Sequence, residues 1–304
     1  MPPAAPYRLS PTPAPRSTAG PTNHLTRRRF LQVTGFSAAA LALYSGEYVR
    51  HDLEITHLPM VIRNLPDAFQ NFRIVQLSDI HYEEYTEPFY LRRIIAEINA
   101  LAPNLVLITG DFITHGPPRI VPEHAIYACA QELSAIQCPQ RLGILGNHDC
   151  TVGASFITRV LHDHDLAVLN NRYVPIERDG QRLWIGGVLD PSTSHPNLDL
   201  AIPPKPDGPV ILMAHAPDFA DDLVVYPNGH LVDYMLSGHS HGGQVRVPFL
   251  GPLALPPMGR KYVMGHYQFG NTQLYVNRGV GSVGVPFRFN CRPELTVFTL
   301  QRAT

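Results

Sequence analysis

Net charge is almost absent from this chain: 24 lysines and arginines face 25 aspartates and glutamates over 304 residues. A nucleic-acid binder shows a basic excess, so no nucleic-acid partner is expected. Cysteine is scarce as well. Cys129, Cys138, Cys150 and Cys291 form no CxxC pair and no zinc-finger spacing, so they read as isolated thiols in or near a core. No apolar run approaches the roughly 20 residues that a membrane span requires. Internal repeats are missing, and no linker follows residue 52, which leaves one folded domain over residues 51–304. What remains is an ordinary globular composition, 44 % hydrophobic and 16 % charged, with a conspicuous 15 histidines.

Residues 1–50 read as a tail and an address. The first 25 are rich in Pro, Ala, Ser and Thr and cannot bury enough surface to order themselves. Thr26-Arg27-Arg28-Arg29-Phe30-Leu31-Gln32 then precedes a mildly apolar run from Val33 to Tyr44, the layout of a secretory signal. The segment resembles the twin-arginine export motif, with Gln32 in place of its common lysine. The implied partner is the twin-arginine export machinery, which carries already folded proteins. Two destinations stay open: the periplasm or cell envelope after cleavage near Ala38 to Ala42, or membrane association through an uncleaved segment.

Beyond residue 52 the chain alternates apolar runs with helical periodicity. Ile74 to Leu77, Leu105 to Ile108 and Leu142 to Leu145 read as strands, with helices between them carried by Leu91, Ile94, Ile95, Ile98 and Leu101, and by Ile126, Leu133 and Ile136 behind Pro122. Such strand–helix repeats predict neighbouring parallel strands, whose carboxyl ends gather ligand sites. The second half is strand-rich. Asp179-Gly180 between Tyr173–Ile176 and Leu183–Val188 is a hairpin signal. Two β-rich layers covered by helices fit this order.

Five polar segments end these runs: Asp79-Ile80-His81, Gly110-Asp111, Gly146-Asn147-His148-Asp149, His215, and Gly238-His239-Ser240-His241. Asp79 and His81, like His239 and His241, are two residues apart, and an extended strand end would aim each pair the same way. Asn147 can ligate only through its amide oxygen, and Asp111 has two oxygens with which to bridge two ions. Imidazole and carboxylate together suit manganese, iron or zinc better than calcium or magnesium. Two such ions generate a hydroxide nucleophile and stabilise phosphoryl oxygens. His148, beside Asn147, is placed to protonate a leaving oxygen.

These segments in this order resemble the calcineurin-like metallophosphoesterase superfamily over roughly residues 73–300. Gly238 to Gln244, Asn277-Arg278-Gly279-Val280-Gly281 and Arg288 to Glu294 are similar to its YaeI/YkuE-like phosphodiesterase branch. The resemblance implies an α/β fold, a four-layer α/β/β/α sandwich. It implies one metal held by Asp79, His81, Asp111 and His241, a second held by Asp111, Asn147, His215 and His239, and His148 as the catalytic histidine. Many relatives carry a second aspartate three positions after the Gly-Asp carboxylate to orient that histidine. Here the position is Thr114, which leaves Asp149 or a backbone carbonyl to take the role.

The expected function is hydrolysis of a phosphodiester or pyrophosphate, with small-molecule or lipid-linked substrates both in view. Some relatives cleave UDP-2,3-diacylglucosamine in lipid A synthesis, a cytoplasmic reaction that conflicts with an export signal. The alternatives are a phosphomonoesterase or nuclease of the same superfamily, or a non-catalytic metal-containing envelope protein. Arg260, Lys261, Arg278, Arg288 and Arg292 are candidates for a phosphate clamp. The apolar stretch Pro248 to Met258 reads either as a packed surface loop or as a lipid-facing lip beside the site.

Overall fold

The computed structural model describes Met1, residues 26–115 and residues 124–303. The proline-rich tail and Pro122 lie outside the described residues. The chain divides into two compact units, at Leu41/Ala42. The twin-arginine-like stretch lies in helix α1 (Arg27–Leu43), whose start is capped by Thr26 Oγ1 accepting from the Arg29 amide at 3.3 Å. Among the described residues no helix is long and apolar enough to cross a membrane.

Within the second unit, two six-stranded mixed sheets carry the fold. The first is built from β1 (Glu54–Ile62), β2 (Arg73–Leu77), β3 (Leu105–Ile108), β4 (Arg141–Gly143), β5 (Ala167–Val168) and, closing the chain, β14 (Glu294–Arg302). Its order is β1-β14-β2-β3-β4-β5, with β2 to β5 parallel as the strand–helix repeats predict. Helices α2 (Pro88–Leu101), α3 (His124–Leu133) and α4 (Asn147–His162) connect these strands. The second sheet contains β6 (Arg172–Arg178), β7 (Gln181–Gly187), β8 (Val210–Met213), β9 (Tyr234–Ser237), β12 (Gly265–Phe269) and β13 (Thr272–Val276), in the order β12-β13-β9-β8-β7-β6. Short helices α5 (Leu198–Ala201) and α6 (Ala220–Val225) belong to this half. Asp179 and Gly180, with φ of 51° and 73°, form the two-residue turn of the β6–β7 hairpin. A small separate hairpin joins β10 (Arg246–Val247) to β11 (Gly251–Pro252).

Strand alternation sorts the side chains into three cores and thereby four layers. On β2 and β3, Val75, Leu77, Val106 and Ile108 face α2, α3 and α4. Their neighbours Ile74, Leu105 and Leu107 meet Ile211, Met213 and Leu236 of the second sheet. On the far side, Val210, Leu212, Met235 and Leu274 pack with Leu198 of α5 and Leu223 of α6. The α/β/β/α arrangement is the expected one. Residues packed on both faces read as continuous apolar runs, which is why the strands were legible. Cys129, Cys138 and Cys291 are buried free thiols and Cys150 is half-buried.

Candidate metal centre

Both sheets direct the carboxyl ends of their parallel strands to one place. Asp79 and His81 follow β2, Asp111 follows β3, and Asn147 and His148 open α4 after β4. From the other sheet, His215 follows β8, and His239 and His241 follow β9. Gln76 fastens the two halves from inside, its Nε2 donating to Thr109 Oγ1 at 3.1 Å and to the Ser237 carbonyl at 3.0 Å. A Cβ on Gly238 would collide with Ser78 Oγ and Asp79 Oδ2, so the loops meet only because that side chain is absent.

The site residues do not sit on extended backbone. Asp79, His81, Asp111, His239 and His241 have φ of 52°, 48°, 55°, 69° and 51°. Contrary to expectation, an extended strand end therefore does not aim Asp79 with His81 or His239 with His241. Alternate left-handed residues turn the chain sharply after β2 and β9, and the turn, not the pleat, aims each pair inward. A non-glycine residue held there costs about 1 kcal/mol or more, and such strain concentrates where function fixes it.

Three overlapping groups bring their ligand atoms within 4.8 Å of one another: Asp79, His81 and His241; His81, Asp111 and His148; and Asp111, His215 and His239. Asp111 Oδ2 lies 3.1 Å from His215 Nε2 and 3.6 Å from His81 Nε2, while its Oδ1 accepts from the His148 amide at 3.0 Å. His81 Nε2 and His241 Nε2 approach to 3.1 Å, and His241 Nε2 is 3.3 Å from Asp79 Oδ1. Asn147 Oδ1 is buried and hydrogen-bonded to nothing, while His215 Nε2 faces the Asp111 carboxylate as an ion pair. Donor atoms crowded this closely, with Asn147 Oδ1 unpartnered beside them, are arranged as co-ligands are. The donor set fits divalent ions, and the His/Asp clusters are consistent with the binuclear site typical of this fold family.

Backbone carbonyls set the imidazole faces. Nδ1 of His215 donates to the Thr109 carbonyl at 2.6 Å, which turns Nε2 inward. Nε2 of His239 donates to the Pro257 carbonyl at 2.8 Å, which leaves Nδ1 for the interior. Thr114 Oγ1 faces His81 Nδ1 at 2.8 Å rather than His148. His148 Nδ1 instead lies 3.0 Å from the carbonyl and 2.9 Å from the amide of His115. Of the two substitutes that Thr114 left open, the backbone takes the role. Asp149 is spent elsewhere, accepting from the amides of Phe112 at 3.0 Å, Ile113 at 3.3 Å and Gly146 at 3.0 Å and so stitching the β3 and β4 loops together.

Burial dominates the electrostatics. It pushes the Asp79 carboxyl up to about 6 against the pull of His215, and Asp149 up to about 7 with help from the Asp111 charge. The same desolvation lowers His81 to about 3 and, joined by the charges of His81 and Arg288, holds His241 well below the usual range. Asp111 and His215 are the exception. Burial works against both charges, yet their proximity wins, keeping Asp111 well below and His215 well above their ordinary values.

No phosphate clamp comes from the suspected cations. Arg278 pairs with Glu294 at 3.0 Å and Glu54 at 3.1 Å, Lys261 with Asp221 at 2.7 Å, and Arg292 with Asp52 at 2.8 Å. Arg288, fully buried, donates to the carbonyls of Arg278, Gly279 and Gly281. Arg260 does not line the cavity over the site. Arg288 Nη2 also lies 3.4 Å from Nδ1 of His241, so this buried arginine sits directly behind a candidate ligand.

The sheets, the strand-end site and its Asp/His clusters define a metal-binding phosphoesterase class of hydrolase. The calcineurin-like phosphoesterase family matches residues 72–243. The chain belongs to that family, as its motifs imply. It is 35 % identical over 287 residues to the uncharacterized metallophosphoesterase YkuE of Bacillus subtilis, covering 91 % of this chain and 98 % of that protein. Phosphodiesterase YaeI of Escherichia coli is 31 % identical over 291 residues, 91 % of this chain and 99 % of its own. The UDP-2,3-diacylglucosamine pyrophosphatase LpxG of Chlamydia trachomatis is 26 % identical, over 76 % of this chain and 85 % of its own.

Proposed function

We propose that this protein is a di-metal phosphodiesterase, with pyrophosphates as the neighbouring substrate class. One observation carries the reading: a buried ligand atom without a hydrogen-bond partner, Asn147 Oδ1, sits beside a set of converging Asp and His side chains. In this reading Asp79, His81, Asp111 and His241 hold one ion, and Asp111, Asn147, His215 and His239 the other. Manganese, zinc and iron suit these donors. When bound, the ions supply Lewis acidity toward the phosphoryl oxygens and activate water. Asp111, common to both sets, would serve both ions. His148, half-buried at the mouth, gives its proton to the departing oxygen while the His115 backbone holds its ring.

The name of YaeI supports the diester reading, and that of LpxG extends it to a lipid-linked pyrophosphate. Residues 1–50 are read as the address, delivering the folded domain through the twin-arginine machinery to the envelope or tethering it to the membrane. An envelope location favours a diester other than UDP-2,3-diacylglucosamine. Manganese-loaded protein is expected to hydrolyse bis(p-nitrophenyl) phosphate, and Asp111→Ala and His148→Ala to lose about 100-fold or more in kcat. Undiminished turnover in both variants refutes the assignment. Fusing residues 1–50 to a folded reporter tests the address: export that survives Arg27→Lys with Arg28→Lys excludes the twin-arginine route.

A further inference from the structure

The cavity above the candidate metal centre has two chemically different ends. Its volume is about 690 Å³, within the size range of small-ligand sites. At one end stand Asp111, Asn147, His148, His239 and His241. The remaining wall is apolar, made by Val245, Leu253, Leu255, Pro256, Val285 and Phe287 from three separate stretches of chain. Among the described residues no lysine or arginine lines it.

This wall is built rather than incidental. Gln244 clasps the 283–285 loop with three bonds: its Nε2 donates to the carbonyls of Val283 at 3.1 Å and Val285 at 3.0 Å, and its Oε1 accepts from the Val283 amide at 3.0 Å. On the opposite side, the Leu253 amide donates to the Val245 carbonyl at 3.0 Å. Both polar side chains in the wall are thus committed, Gln244 to that loop and Ser240 to the Val263 carbonyl. Among the described residues of the wall, no polar side chain is left to read a nucleobase or to pair with extra phosphates. Leu253 is nevertheless 65 % exposed, Val285 44 % and Phe287 37 %, and the tip of the β10–β11 hairpin holds Phe249 fully and Leu250 largely in solvent. Apolar surface of this extent leading away from a polar centre marks a ligand path.

We infer that the apolar arm binds the aliphatic tail of the substrate, so that the preferred phosphoester is an amphiphile with its phosphorus at the Asp/His end. The inference rests on the phosphoesterase reading of the same site and deepens it. A tail held equally in ground and transition states lowers KM and leaves kcat unchanged. The cleft is half open, so each methylene that enters it is expected to raise kcat/KM about twofold to fourfold.

Two measurements on the full chain test this. The first compares the manganese-loaded protein on alkyl p-nitrophenyl phosphodiesters from methyl to octyl, all below their micelle concentrations. The octyl ester should exceed the methyl ester in kcat/KM by on the order of 100-fold or more, carried by KM. Leu255→Gln and the more exposed Leu253→Gln should each pull that ratio toward one. The second measures calorimetric binding of decylphosphonate against ethylphosphonate to metal-free protein, where the longer chain should bind at least tenfold tighter. A methyl ester that turns over without any gain with chain length overturns the tail-binding arm. No turnover of any ester overturns the phosphoesterase reading, while the phosphonate comparison still decides the cleft: equal binding of the two refutes it.

Discussion

Replacing Thr114 by valine removes one hydroxyl and leaves the rest of the side chain's shape. In the structure that hydroxyl lies 2.8 Å from His81 Nδ1, with Thr114 2 % and His81 0 % exposed. To present Nε2 to an ion, His81 must carry its hydrogen on Nδ1, and Thr114 Oγ1 is the acceptor. Without it a buried N–H has no partner, a penalty of about 1–3 kcal/mol. The metal-free protein escapes most of this, because burial keeps His81 neutral and its hydrogen can move to Nε2. The loss therefore falls on the loaded state. It should weaken metal binding about 10- to 100-fold, the range seen when partners of metal-bound histidines are removed. A chelator-competition titration measures the affinity, and thermal unfolding of the metal-free protein is the control. Thr114→Ser should restore most of the binding. Metal affinity of the valine variant within twofold of the parent would refute the role given to Thr114.

Metal uptake should release protons with a defined pH pattern. His215, held well above its ordinary value, must surrender the proton on Nε2 to ligate, so loading near pH 7.5 releases about one proton. Asp79, raised to about 6, is ionised at that pH and adds a second release only as pH falls through about 6, where apparent affinity drops further. Calorimetry in buffers of different ionisation enthalpy checks this; pH-independent uptake without proton release contradicts it. Gly110→Ala places a Cβ 2.6 Å from the Gly146 amide and 2.7 Å from His215 Nδ1 at a φ of 98°. Strain and overpacking together should cost about 2–5 kcal/mol, seen as a lowered denaturant midpoint; an unchanged midpoint would mean that the β3 and β4 loops yield freely.

The strands and the order of the ligand segments were legible because both depend on local rules. Buried parallel strands need continuous apolar residues, and metal ligands must be particular side chains, so both leave marks in the letters. The left-handed backbone at Asp79, His81, Asp111, His239 and His241 left none, since φ at a non-glycine residue is imposed by its surroundings. Carbonyl partners behave the same way. Thr109 and Pro257 orient His215 and His239 through main-chain oxygens that every residue possesses.

By itself, then, the sequence determined the family, the α/β class, and which eight polar residues are candidates for the chemistry, because those depend on residue identity and order. Tertiary structure alone decided that Thr114 serves His81 while the His115 backbone holds His148, that five suspected cations are not a phosphate clamp, and that an apolar arm opens from the site. Each of these is a distance between segments far apart in the chain. Such distances follow from how two sheets pack, which no local pattern encodes.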